Sequence, residues 1–81
     1  MPYPNEHAAR QSSPGLWQTY SRLAPEGWPA GVEMIRGCRR EGDETVCGIQ
    51  SIRFDRQRWT VREADAWLRR NGYRPVNEPA A

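Results

Sequence analysis

The stretch 59–75 carries the most restrictive pattern in this 81-residue chain, because independent signals there define one helix. Thr60 and Glu63 form a capping box, in which each side chain can pair with a free amide of the first turn. Apolar residues then recur at helical spacing, and two arginines occupy the last turn, where the helix dipole favours cations. Gly72 suits the left-handed position after a helix, and a proline follows. The pattern predicts a helix over residues 61–71.

Two segments before this helix are interpreted as strands and predict an antiparallel hairpin. They are residues 32–39 and 45–54, and Gly42-Asp43 between them suits a two-residue turn with glycine first. In that register, facing residues have numbers that sum to 85. The two glutamates that flank the turn then face each other, which is mildly unfavourable. A longer loop with a shifted register therefore stays open as an alternative.

The predicted fold class is α+β, with one domain, because a chain of this length leaves room for only one core. A hairpin or three-stranded sheet packs against the C-terminal helix. Residues 1–15 form an N-terminal arm with a helical turn at 5–10, and residues 16–75 form the domain. Residues 16–23 read as a short helix or turn, and residues 76–81 as a flexible tail. The expected core is Leu23, Val32, Ile35, Val46, Ile52, Phe54, Val61, Ala64, Trp67 and Leu68.

Charge is distributed unevenly along the chain. All twelve basic residues are arginine; residues 1–50 hold five of them against six acids, and residues 51–81 hold seven against four. Such asymmetry is typical either of a surface for an acidic partner or of an ordinary solvated face. The candidate interaction or anion patch consists of Arg53, Arg56, Arg58, Arg62, Arg69 and Arg70.

Membrane and secretory segments are not indicated. No apolar run approaches the length of a membrane span, and the N-terminus lacks the pattern of a signal peptide. The predicted location is the cytoplasm, with association with a virion as a further alternative.

Catalytic and metal-binding groups are scarce. His7 is the single histidine, and no sequence typical of a nucleophile turn is present, so we predict no catalytic residue and no enzyme activity. Cys38 and Cys47 do not form a CxxC pair, so we predict no metal site and no cofactor. In the hairpin register the two cysteines face each other at a distance that a disulfide can span. Reduced thiols are the alternative, which a cytosolic location favours.

Four tryptophans are many for so short a chain. Two of them have predicted structural roles: Trp59 packs at the start of the helix, and Trp67 lies on its apolar face in the core. Trp17 and Trp28 are interpreted either as lids over the sheet or as candidate apolar contacts for a partner or a stacked base.

Two stretches resemble a small uncharacterised module of bacteriophages and prophages. They are PNEHAAR at residues 4–10 and QSIRFD at 50–55, the latter followed by WTVREADAWLRRNGY at 59–73. The second stretch fits the form QSxRFD…WTVxEAxxWLxxxGY. This module also occurs beside head-assembly proteins, including prohead proteases. The chain has no room for a protease body, so the resemblance implies a phage origin and no catalytic role for His7.

The functional expectation is a protein-interaction module of prophage origin, linked to particle assembly. Its partner would be a phage structural protein, with a homodimer through a strand edge as a further alternative. The alternative is a nucleic-acid-binding module that uses the Arg-rich face.

Overall fold

A computed structural model describes residues 3–81 and shows a four-stranded antiparallel sheet with one helix against one face. Met1 and Pro2 of the predicted arm lie outside the described residues. The α+β fold is confirmed, with more strands than the two or three predicted. In the sheet the strands follow the order β1-β4-β3-β2. The elements are β1 (Glu6–Arg10), a 3-10 turn (Pro14–Leu16), β2 (Thr19–Leu23), β3 (Val32–Glu41), β4 (Glu44–Asp55) and α1 (Val61–Arg70).

The β3–β4 hairpin has the predicted turn and, near it, the predicted register. Cys38 faces Cys47, and Gly42 takes a positive φ of 63°, as a turn with glycine first requires. Farther from the turn the register shifts, because Ile35 faces Ser51 while the next residue of β3 faces Ile49. The predicted pairing of Ile35 with Gln50 is therefore wrong. Gln50 is the extra residue of a β-bulge, which reverses the side-chain alternation of β4 beyond it.

The core lies between α1 and one end of the sheet. Ala64, Trp67 and Leu68 of the helix pack on Ile52 and Phe54 of β4. The helix start has the predicted capping box: the Glu63 amide donates to the Thr60 hydroxyl at 3.1 Å, and the Thr60 amide donates to the Glu63 carboxylate at 2.9 Å. This hydrogen bond from the Thr60 amide is the main reason why the pKa of Glu63 lies below its usual value.

Four residues expected in the core are only partly buried: Leu23, Ile35, Val46 and Val61. Alternation along β3 and β4 puts Ile35 and Val46 on the face of the sheet away from the helix. Leu23 lies at the end of the outer strand β2, and Val61 is the first helical residue. The ten residues of α1 cover one end of one sheet face, so these four side chains stay partly in contact with solvent.

Both helical segments predicted near the N-terminus are largely strands. The helical turn expected at residues 5–10 is wrong, because this segment forms β1 and pairs antiparallel with β4. The helix or turn expected at 16–23 is wrong for residues 19–23, which form β2 along β3. Hydrogen bonding to a neighbouring strand outweighs weak local helix signals in such short segments.

The C-terminal tail lies along the outer edge of β1, where the sequence predicted a flexible segment over 76–81. The Ala8 amide donates to the Glu78 carbonyl at 2.9 Å, and the Asn77 and Glu78 amides donate back to the Ala8 carbonyl. The Ala81 amide donates to the Tyr3 carbonyl at 3.0 Å. The tail thereby covers one of the two edges of the sheet.

Candidate functional site

A groove lies on the face of the sheet opposite α1, which we call the open face. Its cavity of about 320 Å³ is bordered by Tyr3 from the segment before β1 and by Tyr20 from β2. Ile35, Ser51 and Ala8, from the strands between, lie in its lining. The strand register explains this grouping, because cross-strand neighbours in an antiparallel sheet share one face.

Charged residues around the groove are held in ion pairs. The buried Arg53 guanidinium donates to Glu6 at 2.8 Å, to the Ser51 hydroxyl at 2.9 Å and to the Tyr3 hydroxyl at 3.0 Å. It also lies 4.0 Å from the centre of the Tyr3 ring, within the range of a cation–π contact. Arg53 therefore fixes Tyr3 and belongs to the open face, whereas the sequence grouped it with a surface patch.

Glu6 joins two arginines in one network. It accepts from Arg53 and, at 2.9 Å, from Arg22, which also donates to Glu33 at 3.1 Å. Burial raises the pKa of Glu6, but the hydrogen bonds and charges of Arg22 and Arg53 outweigh burial and hold that pKa below its usual value. The Arg22 pKa is raised in turn, mainly by its hydrogen bond to Glu6. The network is thus charged and held in one geometry by its ion pairs.

Exposed apolar side chains concentrate beside this network. Within residues 3–81 the exposed large hydrophobic residues are Tyr3 at 39%, Leu16 at 45% and Tyr20 at 50%. Leu16 belongs to the same 3-10 turn as Pro14, which lines the groove. The Tyr20 hydroxyl donates to the Pro14 carbonyl, which ties the strand to this turn. The sequence suggested that Tyr20 would help to cover an open face, but neither tyrosine was among the expected site residues. Alternation in 19–23 would have placed Tyr20 in the groove, had that segment been recognised as a strand.

The two tryptophans considered as apolar contacts are engaged within the domain. The ring of Trp17 lies directly over Gly37 and Gly48. Only glycine leaves room for it, because an added Cβ at Gly37 would come within 2.1 Å of the ring. Its indole donates to the Ser12 hydroxyl at 2.9 Å, and Arg39 lies 5.2 Å from its ring centre. Trp28 packs edge-to-face on Trp67 at 5.2 Å. Both are partly buried, so packing accounts for their positions.

The arginines of the predicted patch are divided by the fold. Arg56 donates to the Pro4 and Ala81 carbonyls and so ties the two chain ends together. Arg58 lies 3.8 Å from Asp55. Arg62 and Arg69 line one surface groove on the outward side of α1, and Arg70 is the next helical residue. Within residues 3–81, no ion pair involves these three helical arginines.

Cys38 and Cys47 form a disulfide across β3 and β4. Of the two states left open by the sequence, the structure thus has the bonded one. The bond closes the outer part of the hairpin, which extends beyond α1.

His7 has a structural environment. It is 8% exposed, and its Nδ1 accepts from the Ala80 amide at 2.9 Å. Nε2 therefore carries the proton and donates to the Trp59 carbonyl at 3.0 Å. The ring joins β1, the tail and the start of α1, and both of its nitrogens are occupied.

No protein family, curated protein or solved structure matches this chain. Over the part of the chain that the structure describes, no three His, Cys, Asp or Glu side chains are grouped as metal ligands. In the same range, no helix has the length and apolar character needed to cross a membrane.

Proposed function

We propose that this protein is a non-enzymatic protein-interaction module that binds its partner in the groove of the open face. One observation carries the proposal: exposed Tyr3 and Tyr20 border a cavity whose neighbouring arginines are already paired with glutamates, and exposed Leu16 belongs to the turn that also contributes Pro14 to its lining. An aromatic centre with a polar rim is the usual arrangement of energetically important residues in protein interfaces.

The expected occupant is a partner segment that presents one apolar or aromatic side chain. The cavity volume of about 320 Å³ is at the lower end of the range for ligand sites, which suits a side chain better than a large cofactor. Both tyrosine hydroxyls are bonded within the domain, so their rings are what the groove offers. The engaged nitrogens of His7 support a role other than catalysis.

A phage structural protein is the partner that we propose, with prophage origin inferred from the sequence resemblance. Such a module would act in the host cytoplasm while particles assemble and would stay with the virion. The Cys38–Cys47 bond fits the second setting, because virion surfaces are oxidising whereas the cytosol keeps thiols reduced.

Selection from a displayed random peptide library tests the groove directly. We expect enrichment of peptides with an apolar anchor, and loss of their binding in Tyr20→Ala and Ile35→Ser. Arg69→Gln, on the opposite side of the molecule, serves as the control and should bind like the original protein. No enrichment, or peptides that bind all four proteins equally, would contradict the proposal.

A second candidate function, nucleic-acid binding, is favoured by the segregation of charge. Residues 56–74 contain six arginines against two acids, and the helical Arg62, Arg69 and Arg70 have no carboxylate partner within residues 3–81. Fluorescence anisotropy with labelled DNA at increasing salt tests this candidate. We expect affinity to fall with salt, and the triple Arg→Gln variant to weaken binding and flatten that dependence. Absence of binding at low salt would eliminate the candidate.

A further inference from the structure

The two edges of the sheet are treated differently by the fold. The outer edge of β1 carries residues 77 and 78 of the tail. Within residues 3–81, no comparable backbone segment lies on the outer edge of β2. Residues 19–22 are exposed, and the strand contains neither proline nor a bulge, two devices that commonly protect an edge from pairing.

The hydrogen-bonding phase of β2 follows from the hairpin beside it. The two-residue turn makes Glu41–Glu44 a hydrogen-bonded pair, so Cys38–Cys47 is a non-hydrogen-bonded pair. The backbone of Cys38 therefore points toward β2, where Thr19 is its neighbour. Because the phase alternates, the amide and carbonyl groups of Tyr20 and Arg22 point away from the sheet.

We propose that a second copy of this chain pairs antiparallel with the β2 edge about a two-fold axis at Ser21. In that register Tyr20 faces Arg22 of the other copy, and the reverse. Both residues direct their amides and carbonyls outward, so the pairing forms four backbone hydrogen bonds. Pairing about any other residue would bring outward-pointing groups opposite inward-pointing ones or shorten the ladder.

The side chains that would meet are compatible. Tyr20 is half exposed and would lie beside the aliphatic part of Arg22 of the other copy, because the Arg22 guanidinium is held by Glu6 and Glu33. The charge of each Arg22 is already balanced by Glu6 and Glu33, so the two copies do not repel there. On the face of the sheet that carries α1, Ser21 lies opposite Ser21 of the other copy. A symmetric interface of this kind uses one patch on both subunits, which is the commonest form of homodimer.

Such pairing joins two four-stranded sheets into one of eight strands. An axis perpendicular to the sheet keeps both open faces on one side, with the two Tyr20-bordered grooves beside the axis. This inference does not depend on what the groove binds. Ser21 lies on the other face, because it pairs with Arg36 and not with the groove residue Ile35.

A cysteine at the axis gives the sharpest test. At a non-hydrogen-bonded pair the Cα atoms are about 4.5 Å apart, which a disulfide can span. Mild oxidation of Ser21→Cys should therefore give a covalent dimer, with peptide mapping to locate the bond at residue 21 and to confirm an intact Cys38–Cys47 bond. Leu23→Cys is the matched control. Its two copies lie roughly 13 Å apart along the strands, so it should not cross-link.

Mass measurements on the unmodified chain complete the test. Light scattering should show a mass rising with concentration toward twice 9.4 kDa. Ser21→Lys brings two like charges together and should give a monomer with an unchanged fold by circular dichroism, whereas the exposed control Ser13→Lys should still dimerise. The proposal is overturned by a monomer at all concentrations, or by equal cross-linking at residues 21 and 23. Ser21→Lys should leave peptide binding in the groove intact, so the two proposals fail separately.

Discussion

The contact of the Trp17 ring with Gly37 and Gly48 allows a quantitative prediction, because neither glycine has a side chain that would displace the ring. An alanine at residue 37 would put a Cβ 2.1 Å from the Trp17 ring, and one at residue 48 would approach within 2.8 Å. Atoms cannot approach so closely, so Gly37→Ala must displace the indole. We expect the variant to expose roughly 100 Å² of indole surface, which corresponds to about 2.5 kcal/mol of lost unfolding free energy.

A double-mutant cycle with Trp17→Ala isolates this contact. Trp17→Ala alone should cost a similar amount, because it removes the same buried surface. In the Trp17→Ala background, Gly37→Ala should cost nothing or should stabilise the strand by about 0.5–1 kcal/mol, since alanine loses less backbone entropy than glycine. The expected coupling between the two sites is therefore about 2.5–3.5 kcal/mol.

Urea unfolding followed by circular dichroism measures all four proteins. Gly15→Ala is the matched control, because the nearest atom to its added Cβ is 3.9 Å away and no backbone strain arises. Its midpoint should stay close to that of the original chain. A coupling energy below about 0.5 kcal/mol would refute the reasoning, since it would mean that displacing the Trp17 ring from Gly37 and Gly48 does not lower the free energy of unfolding.

Three further predictions concern stability. The pKa of Glu6 lies below its ordinary value of 4.5 in the folded state, so the free energy that ionised Glu6 adds to folding is fully present above pH 4.5 and is lost as the pH falls through the folded pKa. We therefore expect the urea midpoint of Glu6→Gln to fall less steeply with decreasing pH than that of the original chain. Reduction of the Cys38–Cys47 disulfide should lower the free energy of unfolding by about 2–3 kcal/mol, because the unfolded chain gains loop entropy. Urea unfolding with and without reductant measures this change, and a change below about 0.5 kcal/mol would contradict the prediction. Thr60→Ala should cost about 1 kcal/mol by removing the cap, and thermal unfolding against Thr45→Ala checks it.

The elements that sequence predicted well are those defined by local chemistry. The capping box, the apolar spacing and the glycine after the helix all lie within one short stretch, and α1 begins at Val61 as predicted. The hairpin turn is likewise contained in Gly42-Asp43 and its neighbours. Such signals act between residues close in sequence, so they can be read without knowing the rest of the fold.

The elements that sequence missed depend on distant partners. β1 becomes a strand because β4, more than 40 residues away, offers it a free edge, and the tail is ordered because β1 offers the next one. The bulge at Gln50 also has no local marker, yet it decides which side chains of β4 reach the groove. The groove therefore could not be predicted, since the sequence did not show that the segments of Tyr3 and Tyr20 join the sheet that contains Arg53.

The division of charge between the two sides of the molecule has a consequence for both candidate functions. Arginines of the open face are paired with glutamates, whereas the outward arginines of α1 have no such partner within residues 3–81. In the proposed two-fold dimer, both grooves would lie on one side of the joined sheet and both basic helices on the other. A partner in the grooves and a polyanion on the helices would then not compete. Ser21→Lys should consequently weaken bivalent binding on both sides equally, while Tyr20→Ala and the triple helical Arg→Gln variant should each affect the intrinsic affinity of one side only.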